Sequence, residues 1–138
     1  MNNNISPLNY KSLKLFGFED YFDEIQDLFE KKKLPKVSLL SGKKGIGKST
    51  LIFHLLNYFF SKNDYNLNHR EINSNSVIFK QITAGTFQNI VYLGNYEVNN
   101  LKIDDVRYLK KLLLKTTLNN KPRFIIIDDS DLMSLNSA

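Results

Sequence analysis

Apolar residues recur along the chain in distinct rhythms, and each rhythm predicts an element. Tyr21, Phe22, Ile25, Leu28 and Phe29 return at three- and four-residue steps, which lays one apolar stripe along a helix. Glu19-Asp20 opens that helix with carboxylates suited to its positive end, Lys31-Lys32-Lys33 complements its negative end, and Leu34-Pro35 breaks it. The compact run Val37-Ser38-Leu39-Leu40-Ser41 predicts a buried strand. Residues 50–60 carry Leu51, Ile52, Leu55, Leu56, Tyr58, Phe59 and Phe60, apolar on nearly every side, so this helix is expected in the interior. The polar, asparagine-rich residues 61–75 read as a long surface loop, and residues 77–87 as a short helix. Asn89-Ile90-Val91-Tyr92-Leu93 predicts a second core strand, closed by Gly94-Asn95. Asp104 is a good N-cap for a helix whose stripe is Val106, Leu109, Leu112 and Leu113. After the turn Asn119-Asn120-Lys121-Pro122 comes the most hydrophobic run of the chain, Arg123-Phe124-Ile125-Ile126-Ile127, a buried strand ending in Asp128-Asp129. Residues 1–12, polar and asparagine-rich up to Pro7, read as a flexible terminus.

Composition narrows the class. A chain of 138 residues is one domain at most, and 42% hydrophobic content with 12% aromatics excludes a disordered segment. The net charge of +5 comes from 19 basic and 14 acidic residues, with lysines clustered at Lys31-Lys32-Lys33, Lys36, Lys43-Lys44 and Lys110-Lys111. That balance favours polyanionic partners, while each cluster is also explained as a solvated helix end. Arg107, Lys110 and Lys111 lie off the stripe of their helix and form a basic outer face. There is no cysteine, which excludes disulfides and thiolate metal sites. No signal peptide and no apolar run of membrane length is present, so the expected setting is the cytoplasm, without membrane contact. His54 is expected to be packed rather than a ligand, because no second metal-type residue lies one turn away, and His69 receives no role.

The chemistry concentrates in Gly42-Lys43-Lys44-Gly45-Ile46-Gly47-Lys48-Ser49, which fits G-x-x-x-x-G-K-[ST], a phosphate-binding loop. Glycines let backbone N–H groups curl round phosphates, the lysine supplies charge, and the hydroxyl serves magnesium. Such a loop works between a buried strand and a helix whose N-terminus faces the anion, and residues 37–41 and 50–60 supply that context. Gly42, Gly45, Ile46, Gly47, Lys48, Ser49 and Thr50 are therefore the candidate nucleotide-contacting residues. In P-loop proteins a hydrophobic strand ending in an acid places that acid, here Asp128, beside the nucleotide's magnesium, as strand C-termini converge on one crevice of an α/β sheet; without the upstream loop the same run would read as a core strand ending in a polar turn. A nucleotide phosphate is therefore the expected ligand of this loop, with the Ser49 hydroxyl serving its magnesium.

Four stretches together resemble one family, the delta-prime subunit of the bacterial DNA polymerase III clamp loader, an AAA+ protein. Leu15-Phe16-Gly17-Phe18-Glu19 is similar to its opening apolar–Gly–His–Glu motif, with Phe18 where histidine is usual; in AAA+ proteins this region lies near the adenine. Leu34-Pro35, Leu39-Leu40-Ser41-Gly42 and Gly45-Ile46-Gly47-Lys48 resemble its Leu-Pro-His run into the P-loop, with Lys36 replacing histidine. Ile103-Asp104-Asp105-Val106-Arg107 resembles its Ile-x-x-[Ile/Val]-Arg helix start, and Ile127-Asp128-Asp129-Ser130-Asp131-Leu132-Met133 its Walker B segment. The resemblance implies a P-loop NTPase fold, a three-layer α/β/α sandwich on a parallel sheet. It also implies other clamp-loader subunits as partners, DNA reached through that assembly, and a role in sliding-clamp loading. The resemblance implies ATP and Mg as cofactors, with no zinc, and candidate magnesium ligands in Ser49, directly, and Asp128, through water. Asp129 stands where hydrolysing relatives carry a catalytic glutamate, so it is the candidate catalytic residue, a shorter acid that leaves hydrolysis open. The cysteine-free loop after residue 60 departs from members that carry a zinc module there.

Two other classes compete: a small nucleotide kinase, and a non-hydrolysing scaffold with a vestigial loop. A kinase needs arginines in a lid, and only Arg70, Arg107 and Arg123 exist, which argues against it. The resemblance further implies that residues 13–138 are the N-terminal part of an AAA+ domain, cut after Walker B, with the P-loop strand's neighbours beyond Ala138. Unpaired buried strand edges are costly, so the isolated chain is expected to be poorly stable. A cooperative thermal transition whose midpoint does not move with protein concentration would contradict that expectation.

Overall fold

Helix α1, Glu19–Glu30, forms where the stripe predicts it. The computed structural model describes residues 12–94, 100–128 and 130, and divides into two compact units, Met1–Gly85 and Thr86–Ala138. Phe22 is fully buried, and Ile25, Leu28 and Phe29 are half-buried on the same face, whereas Tyr21 is 61% exposed and leaves the expected stripe. The lysine run ends the helix differently from a simple charge cap. Lys32 takes the left-handed conformation (φ 55°), and N–H groups of Lys32 and Lys33 donate to the carbonyls of Phe29 and Leu28, a Schellman-type closure.

Helix α2, Lys48–Phe60, is the interior element foreseen, although it starts two residues before the expected Thr50. Leu51, Phe53, Leu55, Leu56, Tyr58 and Phe60 are all buried. Phe22 of α1 meets Tyr58 edge-on at 5.9 Å and stacks on Tyr65 at 5.4 Å, while Phe29 stacks on Phe59 at 3.9 Å. Each such pair contributes about 0.5–1.5 kcal/mol beyond the area it buries. A polar clasp holds the far ends of the two helices: Tyr58 donates to Glu30 Oε1 at 2.6 Å, and Lys62 Nζ reaches the same oxygen at 2.7 Å. Those two donors hold the Glu30 carboxyl below its ordinary pKa.

The expected surface loop at residues 61–75 is in part core. It folds into a two-stranded antiparallel ribbon, β1 Tyr65–Asn66 and β2 Glu71–Ile72, whose Tyr65 and Ile72 are buried. Residues 13–15 pair with its outer edge, where Ile72 N–H donates to Leu13 O and Leu15 N–H to Arg70 O. Arg70 also donates to Leu67 O and Asp23, and its guanidinium lies 5.0 Å from the Phe22 ring centroid, so the ribbon is tied to α1. Helix α3, Val77–Thr83, follows, capped by the Ser76 hydroxyl and shorter than residues 77–87 because Gly85 turns the chain at φ 69°. Residues 37–41 do not form the predicted strand. Among the described residues they have no strand partner, and Val37 and Leu39 are 87% and 80% exposed. Without a partner for its backbone groups, even a good strand sequence stays merely extended.

The second unit holds a parallel pair, β3 Ile90–Leu93 with β4 Phe124–Ile127, in the register Ile90↔Phe124 to Leu93↔Ile127. These strands are half-buried rather than fully buried, and Ile127 is 38% exposed, since a two-stranded sheet shields little of its own surface. Fully buried Asn89 locks the turn before β4: its Nδ2 donates to Asn119 Oδ1, Lys121 O and Pro122 O, and its Oδ1 accepts from Asn119 Nδ2. Helix α4, Ile103–Leu114, begins two residues earlier than Asp104 capping would place it. Lys102 is the N-cap, and Asp105 reaches back to accept from its N–H at 2.9 Å. Leu113, expected on the stripe, is 53% exposed. The structure is thus mixed α/β with a small parallel sheet, and no described helix is long and apolar enough to cross a membrane.

His54 is packed, as expected. Its ring is wholly buried in α2, with Nε2 2.8 Å from Ser12 O and Nδ1 2.8 Å from the Tyr65 hydroxyl. A carbonyl only accepts, so Nε2 carries the proton and Nδ1 accepts from Tyr65, which fixes the neutral ring. Burial pushes the His54 pKa below its ordinary value. A depressed histidine pKa stabilises the fold above the unfolded value of about 6.5 and loses that contribution as pH falls through the folded value. The urea midpoint is therefore expected to fall as pH drops below about 6.5, ahead of the Glu30 carboxyl, and to fall less steeply in His54→Gln. An identical slope in that variant would remove His54 as the cause.

Candidate functional site

The phosphate-loop residues all sit at the start of α2. Gly47 is its N-cap at φ 108°, ψ 17°, and Gly45 stands at φ 79°; both are left-handed conformations that side chains resist. These two turns bring residues 42–46 back over the first turn of the helix. Lys48 is half-buried there, and its ammonium donates to Gly42 O at 2.6 Å and Lys43 O at 3.1 Å. Those bonds hold the charge inside the loop. Ser49 and Thr50 follow on the same turn, half-buried, while Gly42, Lys43, Lys44, Gly45 and Ile46 are exposed.

The two long helices of this unit treat their positive ends in opposite ways. α1 has Glu19 and Asp20 in its first turn, and backbone N–H groups, its own and that of Gly17, hold the Glu19 carboxyl below its usual range. α2 has no acid in its first turn and no side-chain cap. Its N–H groups and partial positive charge can meet an external anion, and Lys43, Lys44 and Lys48 add cations around them. An oxyanion is the ligand that this donor set fits.

Phe18 joins the site from the residue before α1. A Cβ placed on Gly47 would lie 3.2 Å from Phe18 Cε2, so the ring is seated directly on the glycine. The structure therefore brings the Leu15-Phe16-Gly17-Phe18-Glu19 stretch and the phosphate loop together. Gly47 is thus constrained twice, by its backbone angle and by its neighbour.

Asp128 belongs to the second unit, one residue beyond β4. Its N–H donates to Leu93 O at 2.9 Å, and its Oδ2 accepts from the Tyr92 hydroxyl at 2.5 Å. Tyr92 is a contact that strand-pattern reasoning missed; the available signal was the tyrosine one residue before the end of an otherwise aliphatic run. Asp129, the candidate catalytic acid, lies outside the described residues, as do residues 131–138. Two surface clefts stand apart from the loop, one of about 280 Å³ between Leu113 and Arg123, the other of about 370 Å³ beside Ile72, and no residue of 42–49 lines either. No group of metal-type side chains is clustered among the described residues.

The family model described as DNA polymerase III, delta subunit, matches residues 18–138. No curated protein and no solved structure matches the chain.

The double constraint on Gly47 has a measurable consequence. Alanine at Gly45 meets open space and bears only the left-handed backbone cost of about 1–2 kcal/mol, whereas alanine at Gly47 also presses on Phe18. Urea unfolding should rank Gly47→Ala as the more destabilised variant, and equal or reversed losses would show that Phe18 does not bear on the glycine.

Proposed function

This chain belongs to the DNA polymerase III delta subunit family, and from that premise we propose that it is a clamp-loader subunit that holds ATP and magnesium at residues 42–50. The observation that carries the reading is the uncapped, acid-free N-terminus of α2 beneath a glycine loop that already positions Lys48. The finer assignment to the delta-prime subunit rests on the four motif stretches and on a phosphate loop complete in every required residue type.

In this reading each residue has a stated task. Backbone N–H groups of Gly45, Ile46, Gly47, Lys48, Ser49 and Thr50 surround the phosphates, with Gly42 shaping the loop's entry. Lys48 leaves the carbonyls of Gly42 and Lys43 and neutralises the terminal phosphates. Ser49 would hold magnesium, a hydroxyl being one of the hard oxygen donors that this ion takes. Magnesium, when bound, offsets phosphate charge and fixes its geometry. Phe18, against Gly47, closes one wall of the loop. The three-layer P-loop fold of AAA+ proteins is part of the same proposal, and the small parallel sheet is compatible with it.

The subunit then acts mainly through contacts with other clamp-loader subunits in the cytoplasm, reaching DNA through their assembly. Asp129 is the proposed acid for any turnover. It is one methylene shorter than glutamate, so the reading places binding ahead of hydrolysis. Arg107, Lys110 and Lys111 present an exposed basic face on α4 that suits an acidic neighbour or the DNA backbone.

Equilibrium titration with MgATP tests the proposal. Wild type should bind, and Lys48→Ala should bind at least about tenfold more weakly through loss of a charge-assisted contact. Equal affinities would remove the loop from the function and leave a scaffold with a vestigial site. Rapid turnover with strict dependence on Asp129 would instead favour an active ATPase.

A further inference from the structure

Three glycines shape the phosphate loop, and their surroundings differ. Among the described residues, a Cβ on Gly45 would meet nothing within 4 Å, and one on Gly42 would meet only Ile46 and Lys48, side chains of the loop and of the helix turn beneath it. Gly47 is met from outside: Phe18 Cε2 lies 3.2 Å and Phe18 Cδ2 3.9 Å from the same point on that residue. Phe18 is itself fixed by α1. Its carbonyl accepts the first bond of that helix, from Phe22 N–H at 2.9 Å, and its ring lies 6.1 Å from the Tyr21 ring. α1 in turn is packed along α2 by Phe22 on Tyr58, by Phe29 on Phe59 and by the Glu30 clasp. The place of the ring on Gly47 is therefore set by the packing of two helices within the first unit, and not by the loop.

We propose that Phe18 is a positioning residue that holds the phosphate loop in its anion-binding form by seating on Gly47. This rests on the reading of residues 42–50 as a phosphate site given above. Glycine visits positive and negative φ about equally, so a glycine at the joint between loop and helix leaves that joint loose by itself. The observed φ of 108° is the one that carries residues 42–46 over the first turn of α2, where Lys48 is held. A ring against the bare face of the glycine leaves the joint little room to swing, which raises the population of that conformation. Apparent affinity scales with that population. Phe18 is thus needed for its bulk rather than its aromatic face, and its effect is on the phosphates whatever else the ligand carries.

The test compares the binding of MgATP and of magnesium tripolyphosphate, which has the phosphate chain without base or sugar, to the full chain. Phe18→Ala empties the space beside Gly47 and should weaken both ligands by the same factor, about fivefold if the competent loop falls to about one fifth of the population. Phe18→Leu refills the space without an aromatic face and should recover most of that loss for both ligands. Hydrogen exchange in Phe18→Ala should quicken at Ile46 and Leu51, whose N–H groups donate to Lys43 O and Gly47 O, while the amides of residues 53–58 keep their protection. Phe18→Val takes the place of the alanine variant in each comparison if that variant does not fold. If wild type binds neither ligand, the phosphate reading of the loop fails and takes this inference with it. If wild type binds both and Phe18→Ala matches it, the loop reading stands and the positioning role alone is overturned. A loss for MgATP alone that leucine does not relieve makes Phe18 a contact to the base and overturns the role too, as does protection lost equally at residues 53–58, the mark of a purely structural side chain.

Discussion

Helix α2 has to satisfy two opposite environments along about 20 Å, and most of the first unit follows from how it does so. From Leu51 onward it is interior, surrounded by Phe22, Tyr65 and its own aromatics, with even His54 and Asn57 buried. At Lys48 it is only half-buried, with no side-chain cap and no acid in its first turn. Gly47 is the joint between these regimes. Its left-handed backbone lets the chain leave the helix axis, and its missing side chain lets Phe18 close the space that the departure creates. The aromatic packing behind it fixes where the first turn points, so core and loop are one mechanical unit rather than a scaffold with a motif attached.

Features carried by local spacing were legible in the sequence. The stripe at Phe22, Ile25, Leu28 and Phe29, the all-round apolar α2, the glycine loop and the run at Phe124 each declare themselves within a dozen residues. Features that depend on distant partners were not. Tyr65 and Ile72 are single apolar residues in a polar stretch, and they become core only because residues 13–15 and Phe22 come to meet them. Residues 37–41 have every local mark of a strand and, among the described residues, lack the hydrogen-bonding neighbour that makes one. At α4 the failure was of phase: Asp104 and Asp105 are chemically equal candidates, and the geometry that lets Asp105 reach the Lys102 N–H settled the boundary. Within the candidate site, the loop residues were found by pattern, but the Tyr92 hydroxyl acquires its partner only through the parallel register.

The second unit shows how a small sheet is held in place. Two four-residue strands are marginal by themselves, and their register has to be set by something other than length. Asn89 sets it at one end. Its buried amide gathers Asn119, Lys121 and Pro122, and its carbonyl accepts from Phe124 N–H at 2.8 Å, so the chain enters β4 at a fixed position. The other end is closed by Leu93 O and the Tyr92 hydroxyl on Asp128. The acid is thus positioned by contacts at both ends of the strand pair, and an asparagine at the entry to the sheet bears on the orientation of a carboxylate at its exit. A slip of one residue would turn that carboxylate to the opposite face.

Binding and turnover make different demands on such an arrangement. Lys48 is already satisfied by two carbonyls, so an incoming phosphate gains only the difference between a carbonyl and an anionic oxygen as partner. That difference favours the phosphate, because a charge-assisted bond on both sides is stronger than one on the donor alone. It also means that the loop needs little reorganisation beyond the release of the ammonium from those two carbonyls. Holding a nucleotide requires no more than this. Hydrolysis requires in addition an acid at the right distance to polarise water, and the proposed acid, Asp129, is shorter than a glutamate. On the proposed function, a subunit that stays bound and presents a surface to its neighbours is under no pressure to correct that distance, so a complete loop and a short acid are consistent with each other.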